Sequence, residues 1–393
     1  MLPGSGMMGA MATGLDVELI QAASAGNSDK VRSLVDQGAE VNARHTSGIT
    51  AVLAAALGGR LEIVQFLAAR GADLNLRYRN NATLLILAAT QGQAAVTNFL
   101  LQKGVDPNHR AEAGSTALLA ASIGGHVDTV EALLSHGADA SLPDNSGLTP
   151  LIGAATHGHL EVVCALLAHG AGMEGALAGA AGVHPPVAWL LLERGADPNA
   201  RNDRGLPLLV SAAADNDTEW LMNLLRYNAD VNAAGADGTT ALIAASLHGH
   251  AKIAAELLAR GADANARGEK GICALIAAII RGHRDVAMLL LGRGADVNSA
   301  TDTGVTPLMA AVSCNAGLVR ELLGAGADVT REDSQGTDAM LAAALQGDAE
   351  VIAALLEYGA DPFAKRAGGM SPVEAAEAAG HRDIAAIIRG NST

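Results

Sequence analysis

Histidines separated by one residue are the first feature of this chain that could do chemistry. His157-Gly158-His159 and His248-Gly249-His250 have the spacing of a metal-binding pair. A zinc site needs three or four converging ligands, however, and no cysteine or acid recurs beside either pair. Gly-His also recurs at Gly125-His126, Gly282-His283 and Gly380-His381. A repeated turn explains all of these without a metal. Two glycine runs, Gly4 to Gly9 and Gly170 to Gly175, match GxGxxG. A dinucleotide site places such glycines between a strand and a helix, so that helix N–H groups meet the pyrophosphate. Too few residues precede Gly4 to form a strand, and a helix is expected before Gly170, so both read as turns. Asp215-Asn216-Asp217 lacks the glycine and closing glutamate of a calcium loop. The carboxylates Glu62, Asp128, Glu161 and Glu219 fall at periodic slots where they complement helix dipoles. No nucleophile–base grouping stands out, so no catalytic residue, cofactor or metal ligand is assigned and no enzyme activity is expected.

The elements that must position these residues form a repeat. Gly-Ala-Asp or a close variant begins at Gly38, Gly71, Gly104, Gly137, Gly170, Gly195, Gly261, Gly294, Gly326 and Gly359, with Asn228 in the same slot of one copy. The steps are 33 residues, apart from one of 25 and one of 32. One copy, from Gly147 to Gly170, reads GLTPLIGAATHGHLEVVCALLAHG. Thr149 caps a first helix and Pro150 suits its first position. Leu151, Ala154 and Ala155 give that helix a face of mostly small residues for close packing. Gly158 ends it. Leu160, Val162, Val163, Leu166 and Leu167 form the apolar stripe of a second helix. Gly170 ends the second helix, and the polar stretch that follows in most copies reads as a hairpin-like loop, or finger.

Period, helix breaks and triplet together resemble the ankyrin repeat family over residues 15–393. The resemblance implies an all-α array of about twelve helix-turn-helix repeats with hairpin loops, stacked into a curved solenoid. It also implies that the array binds other proteins through a concave groove and its fingertips. The family's histidine in T-P-L-H is absent; Leu53, Ile86, Leu119, Ile152 and Ile276 are among the apolar residues in its place. Buried between repeats, such side chains stabilise the stack without needing a hydrogen-bond partner. Residues 1–14 read as a flexible N-terminal segment. The repeat at 171–195 is shortened by loss of its finger, which divides the array loosely after repeat five. A one-residue deletion falls near Asn315. Glu374 and Glu377 give the last copy a polar outer face, and Lys30 does so at the start, so the array is expected to be complete.

The composition agrees with a thin, layered core. Aromatics make up 2% of the 393 residues, whereas alanine, leucine and glycine dominate. A formal net charge of -15 disfavours nucleic acid and anionic membranes. Cys164, Cys273 and Cys314 are odd in number, far apart and without CxxC spacing, which points to a reducing compartment. There is no apolar run of spanning length and no basic segment before the first glycines. The cytoplasm is therefore the expected location, with the nucleus as a second compartment. No small-molecule substrate is expected, and the oligomeric state is left open.

The residues most suited to binding are apolar ones at a surface slot. The resemblance places one late first-helix position in the groove, and here it reads Leu57, Thr90, Ile123, Thr156, Ala181, Ala214, Leu247, Ile280, Ser313 and Leu345; the recurrent Leu57, Ile123, Leu247, Ile280 and Leu345 are the binding candidates. The opposing reading makes these half-buried core. The slot before the first-helix cap is also often apolar, as at Ile49, Leu148 and Ile272. In the fingers, Arg77-Tyr78-Arg79 combines residue types favoured at binding hot spots, with Arg44, His45, His109 and Arg110 as expected neighbours. This cluster would suit an acidic or phosphorylated segment. The alternative function is an anion or nucleic-acid binder acting through basic fingertips. A third row on the second helices, Cys164, Trp189, Met222, Ala255 and Met288, is read either as an apolar patch or as partly buried packing.

Overall fold

The computed structural model describes residues 14–314, 316–366 and 369–390. The segment 1–13, with the first glycine run, lies outside them, as does Asn315 at the one-residue deletion. The described residues form 24 α-helices and no named strand, so the protein is an all-α repeat array. It divides into two compact units, 1–197 and 198–393.

In the first unit the helices pair as α1 (Gly14–Ala25) with α2 (Ser28–Asp36), α3 (Ala51–Leu57) with α4 (Leu61–Ala69), and α5 (Leu84–Thr90) with α6 (Ala94–Gln102). Then come α7 (Ala117–Ile123) with α8 (Val127–Ser135), α9 (Pro150–Thr156) with α10 (Leu160–Ala168), and α11 (Ala176–Ala180) with α12 (Pro185–Glu193). The second unit pairs α13 (Leu208–Ala214) with α14 (Thr218–Arg226), α15 (Ala241–His248) with α16 (Ala251–Ala259), and α17 (Ala274–Ile280) with α18 (Arg284–Leu291). It continues with α19 (Pro307–Val312) and α20 (Ala316–Gly324), α21 (Ala339–Gln346) and α22 (Ala349–Glu357), and α23 (Pro372–Ala378) and α24 (Arg382–Gly390).

The local chemistry of each pair is repeated. Thr50, Thr83, Thr116, Thr149, Thr240 and Thr306 each accept from the amide three residues on, satisfying a donor that the helix leaves open. Ser371 and Glu374 form a reciprocal capping box at α23, which gives Glu374 a role beyond solubility. The first helices are short and Ala-rich. Ala55, Ala88, Ala121 and Ala154 are each 0% exposed. Side chains this small let neighbouring first helices lie close together. Second helices add the bulk: Val64, Leu67, Val130, Leu133, Val163 and Leu166 are buried completely. Each such Val or Leu contributes about 1.5–3 kcal/mol relative to exposure. Leu53, Leu119 and Ile276, in the slot of the missing histidine, are buried as well, so the exchange is a packing one.

Repeat six departs from this plan. Only five residues separate Gly170 from the start of α11, and α11 is itself five residues long with no side-chain cap at Gly175. With the finger gone, α11 is drawn onto α9. A Cβ on Gly179 would stand 2.4 Å from Thr156 Oγ1, a distance only glycine allows. The first unit accordingly includes this repeat and ends at Asp197, one repeat later than the missing finger implies.

Two predictions follow from these helices. Amides of α11 should exchange with deuterium faster than those of α9, because a single uncapped turn has little to hold it closed. Equal protection in the two helices would refute this. The Thr97 and Thr129 hydroxyls are buried without a hydrogen-bond partner. Thr97→Val should therefore stabilise the first unit by about 1 kcal/mol, read from urea unfolding, since it removes an unmet polar group at nearly constant shape.

Candidate functional site

The apolar groove row starts from a backbone argument. Each of its residues lies in the last turn of a first helix, where the carbonyls have no partner within the helix. The turn of the next repeat supplies one. His159 Nε2 bonds Ile123 O at 2.9 Å, His381 Nε2 bonds Leu345 O at 3.2 Å, and Gln93 Nε2 donates to Leu57 O at 3.2 Å. His126, His184 and His250 do the same for Thr90, Thr156 and Ala214. The turn histidines are thus backbone staples. His157 turns its Nδ1 to Gly153 O at 2.8 Å, so the two rings of the His157/His159 pair stack while serving different carbonyls. Among the described residues, no three His, Cys, Asp or Glu side chains gather where they could hold a metal. The glycine of the turn is required because the next histidine lies over it. At Gly158, whose φ is +77°, a Cβ would approach His184 Nδ1 to 2.5 Å.

With the carbonyls of Leu57, Ile123 and Leu345 occupied, the row presents mainly side chains there. Ile280 is 54% and Leu345 is 49% exposed, while Leu57, Ile123 and Leu247 are half-buried. The alanines beside them, Ala55, Ala121, Ala245, Ala278 and Ala343, are 0% exposed. The alanines are fully covered and the Leu/Ile row only partly, Ile123 lying against Gly153 of α9. Ile49, Leu148 and Ile272 are half-buried at the finger bases. In the first unit, Val17, Ile20, Ile49 and Leu57 line a groove of about 560 Å³ whose other wall includes His45 and Ser47.

The fingers are held by asparagines that the sequence analysis did not single out. Asn265 Nδ2 donates to Gly294 O at 3.4 Å, and its Oδ1 accepts from Asp296 N at 2.8 Å. Asn42, Asn108, Asn232 and Asn298 make the same double contact with the next Gly-Ala-Asp or Gly-Val-Asp triplet or its variant. The aspartate of each triplet then accepts from the amide two residues on and sets the following turn, as Asp139 does for Ser141. The Ser141 hydroxyl and amide hold the Asp139 carboxyl below its ordinary range, and the Thr330 hydroxyl and amide do so for Asp328. A carboxyl lowered on folding stabilises above its unfolded pKa of about 3.9 and loses that contribution as pH falls through the folded value, so the finger turns weaken in acid.

The finger arginines are engaged in several ways. Arg201 donates to Ala234 O at 3.1 Å, and Arg267 donates to Ala300 O at 2.6 Å and to Asp302 at 2.8 Å. Arg331 reaches Asn298 O. Arg366 is buried where the other finger arginines are solvated. It is 9% exposed, and its Nε donates at 2.6 Å to Asp338, which is 1% exposed and caps α21 in place of threonine. An acid in the cap slot, with an arginine in the next finger, was the available signal. The Arg77-Tyr78-Arg79 cluster does come together with its expected neighbours. Arg77 donates to His109 Nδ1 at 2.7 Å, Arg44 to Arg77 O at 3.4 Å, and the Arg79 guanidinium lies 5.5 Å from the Tyr78 ring centre. Tyr78 is half-buried against Gly48, with its hydroxyl 3.5 Å from Ser47 O, so its ring also holds two fingers together. On the second helices, Cys164 and Trp189 are exposed, whereas Met222, Ala255 and Met288 are half-buried.

Asn265→Ala should destabilise the second unit by about 2 kcal/mol, as two hydrogen bonds are lost, measured by urea unfolding. Arg366→Met should cost about 3–5 kcal/mol by leaving Asp338 buried and unpaired. Adding Asp338→Thr, the residue other repeats use there, should recover most of that loss. Equal instability of the single and double variants would show that the charge pair is not the cause.

Comparison with known proteins agrees with this geometry. The chain is similar to potassium channel AKT1 of Arabidopsis thaliana, 37% identical over 75 residues. That stretch is 19% of this chain and 9% of the channel. A family model described as ankyrin repeats matches residues 19–111, 106–174, 176–268 and 255–333. The matched stretches carry the capped short helices, stapled turns and asparagine-tied fingers described above, and this chain belongs to the ankyrin repeat family.

Proposed function

We propose that this protein is a non-catalytic interaction scaffold of the cytoplasm, and of the nucleus as well, that binds partner proteins or peptides through its groove row and fingertips. Ankyrin repeats generally mediate protein–protein interaction. The observation that carries the reading for this chain is the second, partly exposed apolar row. Leu57 and Ile123 form it in the first unit, and Leu247, Ile280 and Leu345 in the second. Partly exposed aliphatic side chains, three of them beside carbonyls that are already bonded, offer area and little polar competition. Such area contributes about 25 cal/mol per Å² before association costs. Arg77, Tyr78 and Arg79 add hot-spot residue types at the fingertips.

Anion or nucleic-acid binding is the second reading. It is weaker because the chain carries a net charge of -15 and several finger arginines are bonded to neighbouring backbone or to carboxylates. It predicts a steep fall of affinity with salt, as phosphate neutralisation releases counterions.

Replacing Leu247 and Ile280 together with Glu tests the first reading. The array should keep its far-ultraviolet circular dichroism and lose its partner. Loss of helicity would instead assign the row to the core, because unpaired buried carboxylates are costly.

A further inference from the structure

The fingers of the first unit leave positive charge uncompensated. The tips 44–49, 77–82 and 109–115 contain Arg44, Arg77, Arg79 and Arg110, and a single acid, Glu112. Three of these guanidiniums bond neutral acceptors: Arg77 O, His109 and Asn145 Oδ1. The fourth lies against the Tyr78 ring. Among the described residues, none of the four is ion-paired with a carboxylate. Several cations on the helices of the same unit are paired: Lys30 with Glu18 at 3.1 Å, Arg32 with Glu62 at 2.9 Å, and Arg70 with Asp36 at 3.1 Å. In the second unit, Arg267 and Arg366 are paired with Asp302 and Asp338, whereas Arg201 and Arg331 bond backbone carbonyls. A chain of net charge -15 has carboxylates enough to pair its arginines, yet these four lie on successive fingers without one.

The first of these fingers lines the apolar groove. His45 and Ser47 line it beside Ile49, next in sequence to Arg44. Tyr78 joins the following finger to this wall through Ser47 O. The groove and the fingers beside it therefore differ in chemistry: Val17, Ile20, Ile49 and Leu57 line the one, and Arg44, Arg77 and Arg79 lie on the others. We infer that this groove receives an acidic amphipathic segment of a partner protein. Aliphatic side chains of the segment settle on the floor, and its carboxylates face Arg44, Arg77 and Arg79. Exposed arginines at such a rim select for charge and speed encounter, while the floor supplies the buried area. The aliphatic floor gives nucleic-acid bases no aromatic surface to stack on beyond Tyr78 at the rim. The inference rests on the protein-binding reading above and assigns that binding, for the first unit, to one face and one ligand chemistry.

The test uses the full chain against a display library of short helix-forming peptides of mixed charge, with a single-stranded oligonucleotide as a second probe. Enriched peptides should be acidic, with aliphatic residues three or four positions apart. A synthetic copy should lose about tenfold or more in affinity on Arg79→Glu and on Leu57→Glu. Its affinity should fall with added salt. Arg79 is exposed, so its variant remains informative if Leu57→Glu disturbs folding. Enrichment of neutral or basic peptides, or of peptides insensitive to Arg79→Glu, would overturn this inference while leaving the protein-binding reading in place. Oligonucleotide binding lost in Arg79→Glu, with no peptide enriched, would overturn both.

Discussion

Every second helix ends in carbonyls that the helix cannot satisfy, and every finger begins with an amide in the same position. One asparagine side chain resolves both for the neighbouring repeat, donating to the glycine carbonyl and accepting from the amide of the aspartate or other residue two positions on. Asn232 and Asn265 show the arrangement, at 3.3 and 2.8 Å, and at 3.4 and 2.8 Å. A hydrogen bond of this kind contributes about 1 kcal/mol net, but an unmet backbone group costs more than that. The ladder therefore fixes the spacing and orientation of neighbouring fingers and, through them, the first helices that carry the groove.

The turn histidines extend the same logic to the other end of the repeat. Each occupies a carbonyl at the end of the preceding first helix, and the glycine beneath it leaves room for the ring. This has a functional consequence. Once the carbonyls of Leu57, Ile123 and Leu345 are bonded, what remains at those positions is apolar surface. A groove built this way suits side-chain recognition. Partner choice then depends on the rim, and in the first unit the rim is cationic.

The Arg366–Asp338 pair shows how one repeat solves the capping problem differently. Threonine caps elsewhere are neutral and need no counter-charge. An aspartate in the same buried slot must have one, and the next finger supplies it. The arrangement gains no obvious stability over threonine, since desolvating two charges offsets much of their attraction. It ties the finger before α23 to the start of α21.

The array was legible in the sequence because the repeat period, the cap threonines and the helix-ending glycines are local signals. Gly147 to Gly170 already encodes where both helices start and stop. The small-residue face, the apolar histidine slot and the missing finger were readable for the same reason. The position of the groove row was less so: Leu57 and Leu53 are both leucines in one short helix, and only packing by the next repeat distinguishes half-buried from buried. Partners about 30 residues apart, such as Asn42 with Gly71 or Asp338 with Arg366, were not read from the sequence. Neither residue of such a pair is unusual alone. The stack brings them together, and it alone decides which finger arginine is bonded and which is left facing outward.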